Sequence, residues 1–374
     1  MPKTLPGKKI IAVGSLVTLL AATAATPALA VTGARHDVDK ALKTLVQDGI
    51  PGAQATVTNP SGRTWSEREG VGNIETGTPF PPGSKFRAGS VTKTFVAVVV
   101  LQLVAEGKVR LDTPIDRYLP GLVRGNGNDG TKITVRHLLQ HTSGLYDFSR
   151  GIDIDEWRHR GAEPGELVAI ALTQRPLFDP GDGWSYSNTN YIVAGMLIEK
   201  LTKRSVSAEI DARIVKPLNL RGTYLPPRGD ERLPHPHARG YTPRDTGLAD
   251  FTELDPSSAW TSGGLVSTGE DLNRFFAALT GGRLLHRPQQ AELQRTIPVN
   301  LGIPGAEYGL GIVSVPLTCG GTFWGHRGSV PGFTTLSGAV PHGKQVNVVV
   351  NQDPLPGKAS KDLFTAVDTG FCAR

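Results

Sequence analysis

Ser90 and Lys93 stand three residues apart at the opening of the apolar run Thr94–Ala105. On a helix that spacing places both side chains on one face, so the Lys93 amine can reach the Ser90 hydroxyl. A hydroxyl held beside an amine can be deprotonated and attack a carbonyl carbon. The helix N-terminus adds free N–H groups and partial positive charge, which favour an oxyanion forming at Ser90. The spacing alone is weak, because a chain of this size holds about one Ser-x-x-Lys by chance, and a capping Ser followed by a solvated Lys is the plain rival. Two further segments carry suitable groups. Tyr186-Ser187-Asn188 offers a phenol that can pass a proton and a carboxamide that can bind a peptide group. His326-Arg327-Gly328-Ser329 follows the strand-like Thr322-Phe323-Trp324-Gly325, where Gly328 lets a substrate backbone approach and the next N–H can serve an oxyanion. Taken singly, each of these two reads equally well as a turn.

Other clusters are weaker. His137 and His141 have i, i+4 spacing, but Leu138 stands where a zinc protease of the His-Glu-x-x-His type keeps its Glu, so no metal is expected. Asp112, Asp116, Asp153 and Asp155 read as solvated acids rather than a sugar-cleaving pair. His235-Pro236-His237 reads as a loop, and Trp157-Arg158-His159-Arg160 as a solvated face too short for a polyanion patch.

The elements that must position Ser90, Tyr186 and His326 can be read from periodicity. Helical spacing begins at residue 37, and Gly52–Thr58 and Trp65–Val71 alternate like strands around the turn Asn59-Pro60-Ser61-Gly62. From about Ser90 to Leu220 the text is mainly helical: Val91–Glu106, Val135–Gln140, Gly165–Leu172, Thr189–Lys200 and Ser207–Ile214. Ser267-Thr268-Gly269-Glu270 has capping-box spacing ahead of a helix over Asp271–Leu279. Strand-like pieces follow at Gly309–Val315, Thr322–Gly325, Phe333–Val340 and Gln345–Asn351, with a last helix from about Ser360. Strands at both ends around a helical middle predict an α+β fold, with an antiparallel sheet assembled from both termini and a helical lobe inserted. The boundaries are a sheet lobe over about 31–87 and 266–374 and a helical lobe over about 88–265, with a cleft between them.

The chain has 374 residues and a net charge of +6. Lys3, Lys8 and Lys9, the apolar stretch Ile10 to about Ala25, and Ala28-Leu29-Ala30 together read as a secretory signal, residues 1–30. The segment carries three Lys and no acid, so removing it leaves a net +3, and the case for a nucleic-acid partner goes with it. The mature chain is expected outside the membrane, secreted and monomeric. In that oxidising compartment Cys319 and Cys372, an even pair, are expected to bond.

In order and spacing the three segments resemble the penicillin-binding and serine β-lactamase superfamily, whose motifs are Ser-x-x-Lys, Tyr-x-Asn and Lys/His-Thr/Ser-Gly. Tyr186-Ser187-Asn188 resembles the class C branch, and His326 narrows the likeness to secreted D-alanyl-D-alanine carboxypeptidases and their D-aminopeptidase and esterase cousins. Phe86–Phe95, His141-Thr142-Ser143-Gly144-Leu145, Tyr186–Leu201 and Tyr308-Gly309-Leu310-Gly311 extend it over nearly the whole mature chain. The resemblance implies a β-lactamase/transpeptidase-like fold and an acyl-enzyme on Ser90, without cofactor. It implies Lys93 as proton partner, Tyr186 as general base or relay, Asn188 on the substrate amide, and His326 supporting the Tyr186 phenol. The N–H groups of Ser90 and Ser329 would form the oxyanion hole beside Gly328, with Trp260 packing on substrate unless it is a core residue.

Two positions depart from that pattern. Arg327 stands where the family keeps Thr or Ser, and Val313 where the carboxypeptidase carries an Arg; together those groups bind the terminal carboxylate. The expectation is that the Arg327 guanidinium replaces the missing charge. The implied substrates are peptidoglycan stem peptides or small D-amino-acid amides and esters, with β-lactams as acylating inhibitors. The first expectation is a D-alanyl-D-alanine carboxypeptidase. Its rivals are a β-lactamase, D-aminopeptidase or esterase of the same chemistry, and a non-catalytic penicillin- or cell-wall-binding module.

Overall fold

The computed structural model describes residues 1–5, residue 7 and residues 27–373. The apolar stretch of the expected export signal lies outside the described residues. Helix α1 spans Pro27–Gln47, ten residues longer at its start than the periodicity indicated, and buries Ala34, Val38, Leu42 and Leu45 along one stripe. The strands are β1 (Gly52–Thr58), β2 (Thr64–Gly70), β3 (Ile297–Pro298), β4 (Glu307–Tyr308), β5 (Val313–Pro316), β6 (Thr322–Val330), β7 (Phe333–Ala339) and β8 (Gln345–Val350). They form one antiparallel sheet in the order β2-β1-β8-β7-β6-β5-β4-β3, so both ends of the chain build it.

One face of the sheet is covered by α1 and the last helix, Ala359–Cys372. Phe323 of β6 stacks there on Phe371, ring centroids 5.0 Å apart. The other face is covered by α5 (Gly269–Thr280) and meets the turn leading into α2 (Thr92–Ala105), while α4 (Asn188–Thr202) packs against α2 and α3 (Val135–Gln140) within the helical lobe. Residues 92–101 of α2 are all buried, so this β-branched-rich segment is helical because packing overrides propensity. Its C-terminus closes on Gly107 at φ +71°, with Lys108 N–H returning to Leu103 O. Where the chain enters and leaves the helical lobe, Lys85–Arg87 pairs antiparallel with Val266–Thr268, joining the two crossings. The final helix, Ala359–Cys372, is α6. Cys319 and Cys372 are bonded, with Cα atoms 5.6 Å apart, tying the β5–β6 connection to the end of α6.

Three local readings needed correction. The strand placed at Gly309–Val315 starts only at Val313. Gly309 and Gly311 instead make a turn in which a Cβ on Gly309 would sit 2.3 Å from Leu293 O. Strand β6 continues through His326–Val330 rather than turning after Gly325. The cap of α5 is Thr268, whose hydroxyl accepts from Asp271 N–H; the Ser267 hydroxyl is engaged with Thr223 instead.

Candidate active site

Ser90 lies in a single 3-10 turn, Gly89–Val91, that runs directly into α2. Gly89 has φ +53°, and a Cβ there would meet Ser329 N at 2.6 Å, so both conformation and space demand glycine. From the other side, a Cβ on Gly328 would sit 1.9 Å from Ala88 O. The two glycines therefore let β6 lie flat against the Ser90 turn, which brings the Ser329 backbone next to that of Ser90. The ladder between β5 and β6 covers only Thr322–Gly325 of β6, so the following stretch, His326–Val330, leaves the β5 edge beside this turn.

Lys93 is fully buried and donates three hydrogen bonds: to Ser90 Oγ (3.1 Å), Asn188 Oδ1 (2.7 Å) and the Ser262 carbonyl (2.7 Å). Burial brings its ammonium down to about 7, while the Asp147 carboxylate pulls in the opposite direction. Its Nζ lies 4.7 Å from the centre of the Tyr186 ring. Burial pushes the Tyr186 phenol up from its ordinary value, with the Ser90 hydroxyl opposing. At neutral pH the site thus presents a partly neutral amine and a protonated phenol, both at the Ser90 hydroxyl. That arrangement can take a proton from Ser90 and return one to a departing group.

Asn188 is placed differently from the expectation. Its carboxamide is engaged at both ends, accepting from Lys93 at Oδ1 and donating from Nδ2 to Asp147 Oδ2 (3.1 Å) and Ser149 Oγ (3.3 Å). In this state it orients Lys93 rather than presenting a free amide to substrate. His326 is also placed differently. Its Nε2 contacts the Tyr308 hydroxyl at 3.0 Å and its Nδ1 contacts Arg327 O at 2.6 Å, while its ring centre is 6.4 Å from that of Tyr186. With both nitrogens occupied, it does not reach the phenol. Burial and the Lys93 charge bring the imidazole down to about 3, so it is neutral. Trp260 is half-buried at φ +34°, at the start of the short helix Trp260–Gly263 that carries the Ser262 carbonyl, and packs against the helical-lobe core.

Along β6, His326 and Gly328 face the helical lobe, whereas Arg327 and Ser329 share the α6 face with Phe323. The Arg327 guanidinium donates to Ser360 Oγ at 3.3 Å, at the start of α6. Asp353 lies close enough to oppose the downward pull of burial on it, and accepts from Ser329 Oγ and from Thr334 Oγ1 (3.0 Å). No carboxylate among the described residues comes within ion-pair distance of Arg327, so this cation stands without a close counter-charge. Val313 is buried in the apolar layer of that face.

Asp147, Ser149 and Ser262 belong to the site although no motif marked them. Asp147 sits two residues past the His141–Leu145 stretch, and the Ser262 contact is a backbone carbonyl, to which residue type is blind. His137 and His141 do not converge. His137 Nδ1 accepts from Thr134 N–H in a capping box, and His141 is the left-handed cap of α3 (φ +60°) with both ring nitrogens engaged. Among the described residues no group of three His, Cys, Asp or Glu side chains is placed to hold a metal ion.

The family model described as Beta-lactamase matches residues 38–370. The chain belongs to the beta-lactamase family. Within this family the chain is 34% identical to esterase EstB of Burkholderia gladioli over 222 residues, which is 55% of this chain and 54% of that protein. It is 28% identical to penicillin-binding protein 4* of Bacillus subtilis over 271 residues, 69% of this chain and 58% of that one. The chain thus spans little more than half the length of these two relatives. Among solved structures, the D-stereospecific amidohydrolase from a Streptomyces species superposes with TM-score 0.82 at 36% identity, covering 89% of this chain and 98% of the other.

Proposed function

We propose that this chain is an exported serine hydrolase that opens amide bonds adjoining D-configured residues through an acyl-enzyme on Ser90. The observation that carries the reading is the buried Lys93 amine, brought to about 7 and held 3.1 Å from Ser90 Oγ. The neutral amine takes the Ser90 proton as Oγ bonds to the substrate carbonyl carbon. The resulting oxyanion accepts from the N–H groups of Ser90 and Ser329. The C–N bond then breaks as the leaving amine gains a proton by way of the Tyr186 phenol, which its raised pKa keeps protonated and so fits it for relay rather than base. Water enters by the reverse route, releases the acid and restores Ser90. The D-configuration rests on the similarity to the Streptomyces amidohydrolase over nearly its whole length. Export rests on the signal pattern of residues 1–30, and N-terminal sequencing of secreted protein should begin at Val31.

For the leaving group, a terminal carboxylate would have to reach past the edge of β6 to the unpaired Arg327 cation on the α6 face, and it is that cation which supports D-alanyl-D-alanine carboxypeptidase as the finer reading. Val313, apolar and buried where that activity keeps an Arg, together with the likeness to an esterase, supports a second reading: a D-amidase or esterase indifferent to that charge. The deciding experiment compares acyl-D-Ala-D-Ala with its C-terminal amide, and each with its L-configured counterpart. A carboxylate reader loses about 10- to 100-fold in kcat/KM on the acid alone when Arg327 becomes Ala. Equal wild-type rates on acid and amide would overturn the carboxypeptidase reading. Equal rates on D and L substrates would overturn the D-specific one.

A further inference from the structure

Beneath Tyr186 runs a buried chain of polar groups that the chemistry above does not use. Its two ends are backbone groups of the second and third motifs. At one end Ser187 N–H meets His141 Nδ1 at 3.2 Å. Next, His141 Nε2 meets the Tyr308 hydroxyl at 3.2 Å, and that hydroxyl meets His326 Nε2 at 3.0 Å. At the other end His326 Nδ1 meets Arg327 O at 2.6 Å. His141, Tyr308 and His326 are all buried.

The ends fix every proton in between. A carbonyl oxygen only accepts, so His326 carries its hydrogen on Nδ1; a backbone N–H only donates, so His141 Nδ1 is bare. The Asn190 amide completes this assignment, donating to His141 Nδ1 (3.1 Å) while its Oδ1 accepts from Ser143 Oγ (2.5 Å). Both imidazoles are neutral, because burial and neighbouring positive charge push each below its ordinary value. His141 must then carry its hydrogen on Nε2 and donate to Tyr308, and Tyr308 must donate to the bare Nε2 of His326. Only one direction of the hydroxyl satisfies all three side chains. The His141 ring also lies against the Tyr186 ring, with centroids 4.3 Å apart.

We propose that Tyr308 and His141 are positioning residues: with the tautomers of His141 and His326 set by the backbone ends, their one-way hydrogen-bond chain ties the Tyr186 loop to the substrate-facing stretch of β6. This inference rests on the proposed acyl-enzyme chemistry for its effect on rate, but its structural content can be read without any substrate. Tyr308→Phe keeps the ring and removes the one hydroxyl that satisfies both histidines. Misplacing a catalytic group by about 1 Å can cost about 100-fold in rate. The expected result is a 10- to 100-fold fall in kcat with KM within about twofold.

The test pairs those kinetics with NMR of the imidazole nitrogens in protein labelled with 15N-histidine. Wild type should show His326 protonated on Nδ1 and His141 on Nε2, and Tyr308→Phe should keep those tautomers while shifting both Nε2 resonances as their hydrogen bonds are lost. A wild-type spectrum with His326 protonated on Nε2, or His141 on Nδ1, overturns the inference even if the variant fails to fold. So does a folded Tyr308→Phe enzyme with both Nε2 resonances unmoved and a kcat within twofold of wild type. A wild type inactive on every D-amide tested would count against the proposed function, leaving the tautomers to decide this inference alone.

Discussion

Replacing Lys93 by methionine removes the amine while nearly conserving its volume, and the buried site converts that change into a dependence on pH. In the fold the ammonium titrates at about 7 against an ordinary value of 10.5. Between those values the unfolded chain binds the proton more tightly, so wild-type stability rises with pH across that window. From pH 7 to pH 10 the gain is about 3–4 kcal/mol, from 1.4 kcal/mol per pH unit with the group already half neutral at pH 7. The methionine variant lacks this gain but leaves Asn188 Oδ1 and the Ser262 carbonyl without a donor, at about 1–3 kcal/mol each. The two effects oppose each other at pH 7, where the variant should unfold within about 2 kcal/mol of wild type. By pH 10 it should be clearly less stable. Urea denaturation of both proteins at the two pH values reads the difference directly, since every other titrating group is common to both. A stability difference that stays constant from pH 7 to pH 10 would refute a buried Lys93 with a lowered pKa. The same titration governs activity: wild-type kcat/KM should climb as pH rises through about 7 and Lys93 loses its proton, and the variant should keep only slow residual activity with no such climb.

Gly328→Ala would place a Cβ 1.9 Å from Ala88 O, a backbone atom that cannot swing aside, so the strand must move off the nucleophile turn. Loss of acylation together with a drop in melting temperature is expected, and a variant with wild-type rates would show that the close approach is not needed. Cys372→Ser opens a loop of 53 residues, and at about 4 kcal/mol on the chain-entropy account it should lower the urea midpoint while leaving kcat at pH 8 within twofold. Phe275→Ala removes the ring stacked on Phe95 of α2, centroids 3.7 Å apart, and should cost about 3–5 kcal/mol in denaturant unfolding.

The Ser90–Lys93 pair was legible because its geometry is local, and Tyr186 because its own segment carries the signal. Ser90 and Lys93 share a helix face, and Tyr186 stands next to the N-terminus of α4; residue type and spacing carry that information. The strands at both ends of the chain were legible as short alternating runs bounded by turns, although β1, β7 and β8 are buried on both faces. What escaped is held by long-range contacts between groups that spacing does not connect. Lys93 reaches the Ser262 carbonyl 169 residues away, Asn188 reaches back 41 residues to Asp147, and His326 finds Tyr308 where Tyr186 was expected. The missed turn at Gly309–Gly311 has a similar cause: an apolar alternating text was overruled by Leu293 O, which leaves no room for a strand-like path with a side chain there.

Ser90 Oγ is the atom that must become acylated if the chain is a serine hydrolase. Intact-mass analysis after brief exposure to a β-lactam or an activated D-amino-acid ester, followed by peptide mapping, addresses this most directly. One equivalent of acyl group on the peptide that holds Ser90, absent in Ser90→Ala and slowed in Lys93→Met, is the predicted outcome. Label on any other residue, or turnover of D-amides by Ser90→Ala at the wild-type rate, would contradict it.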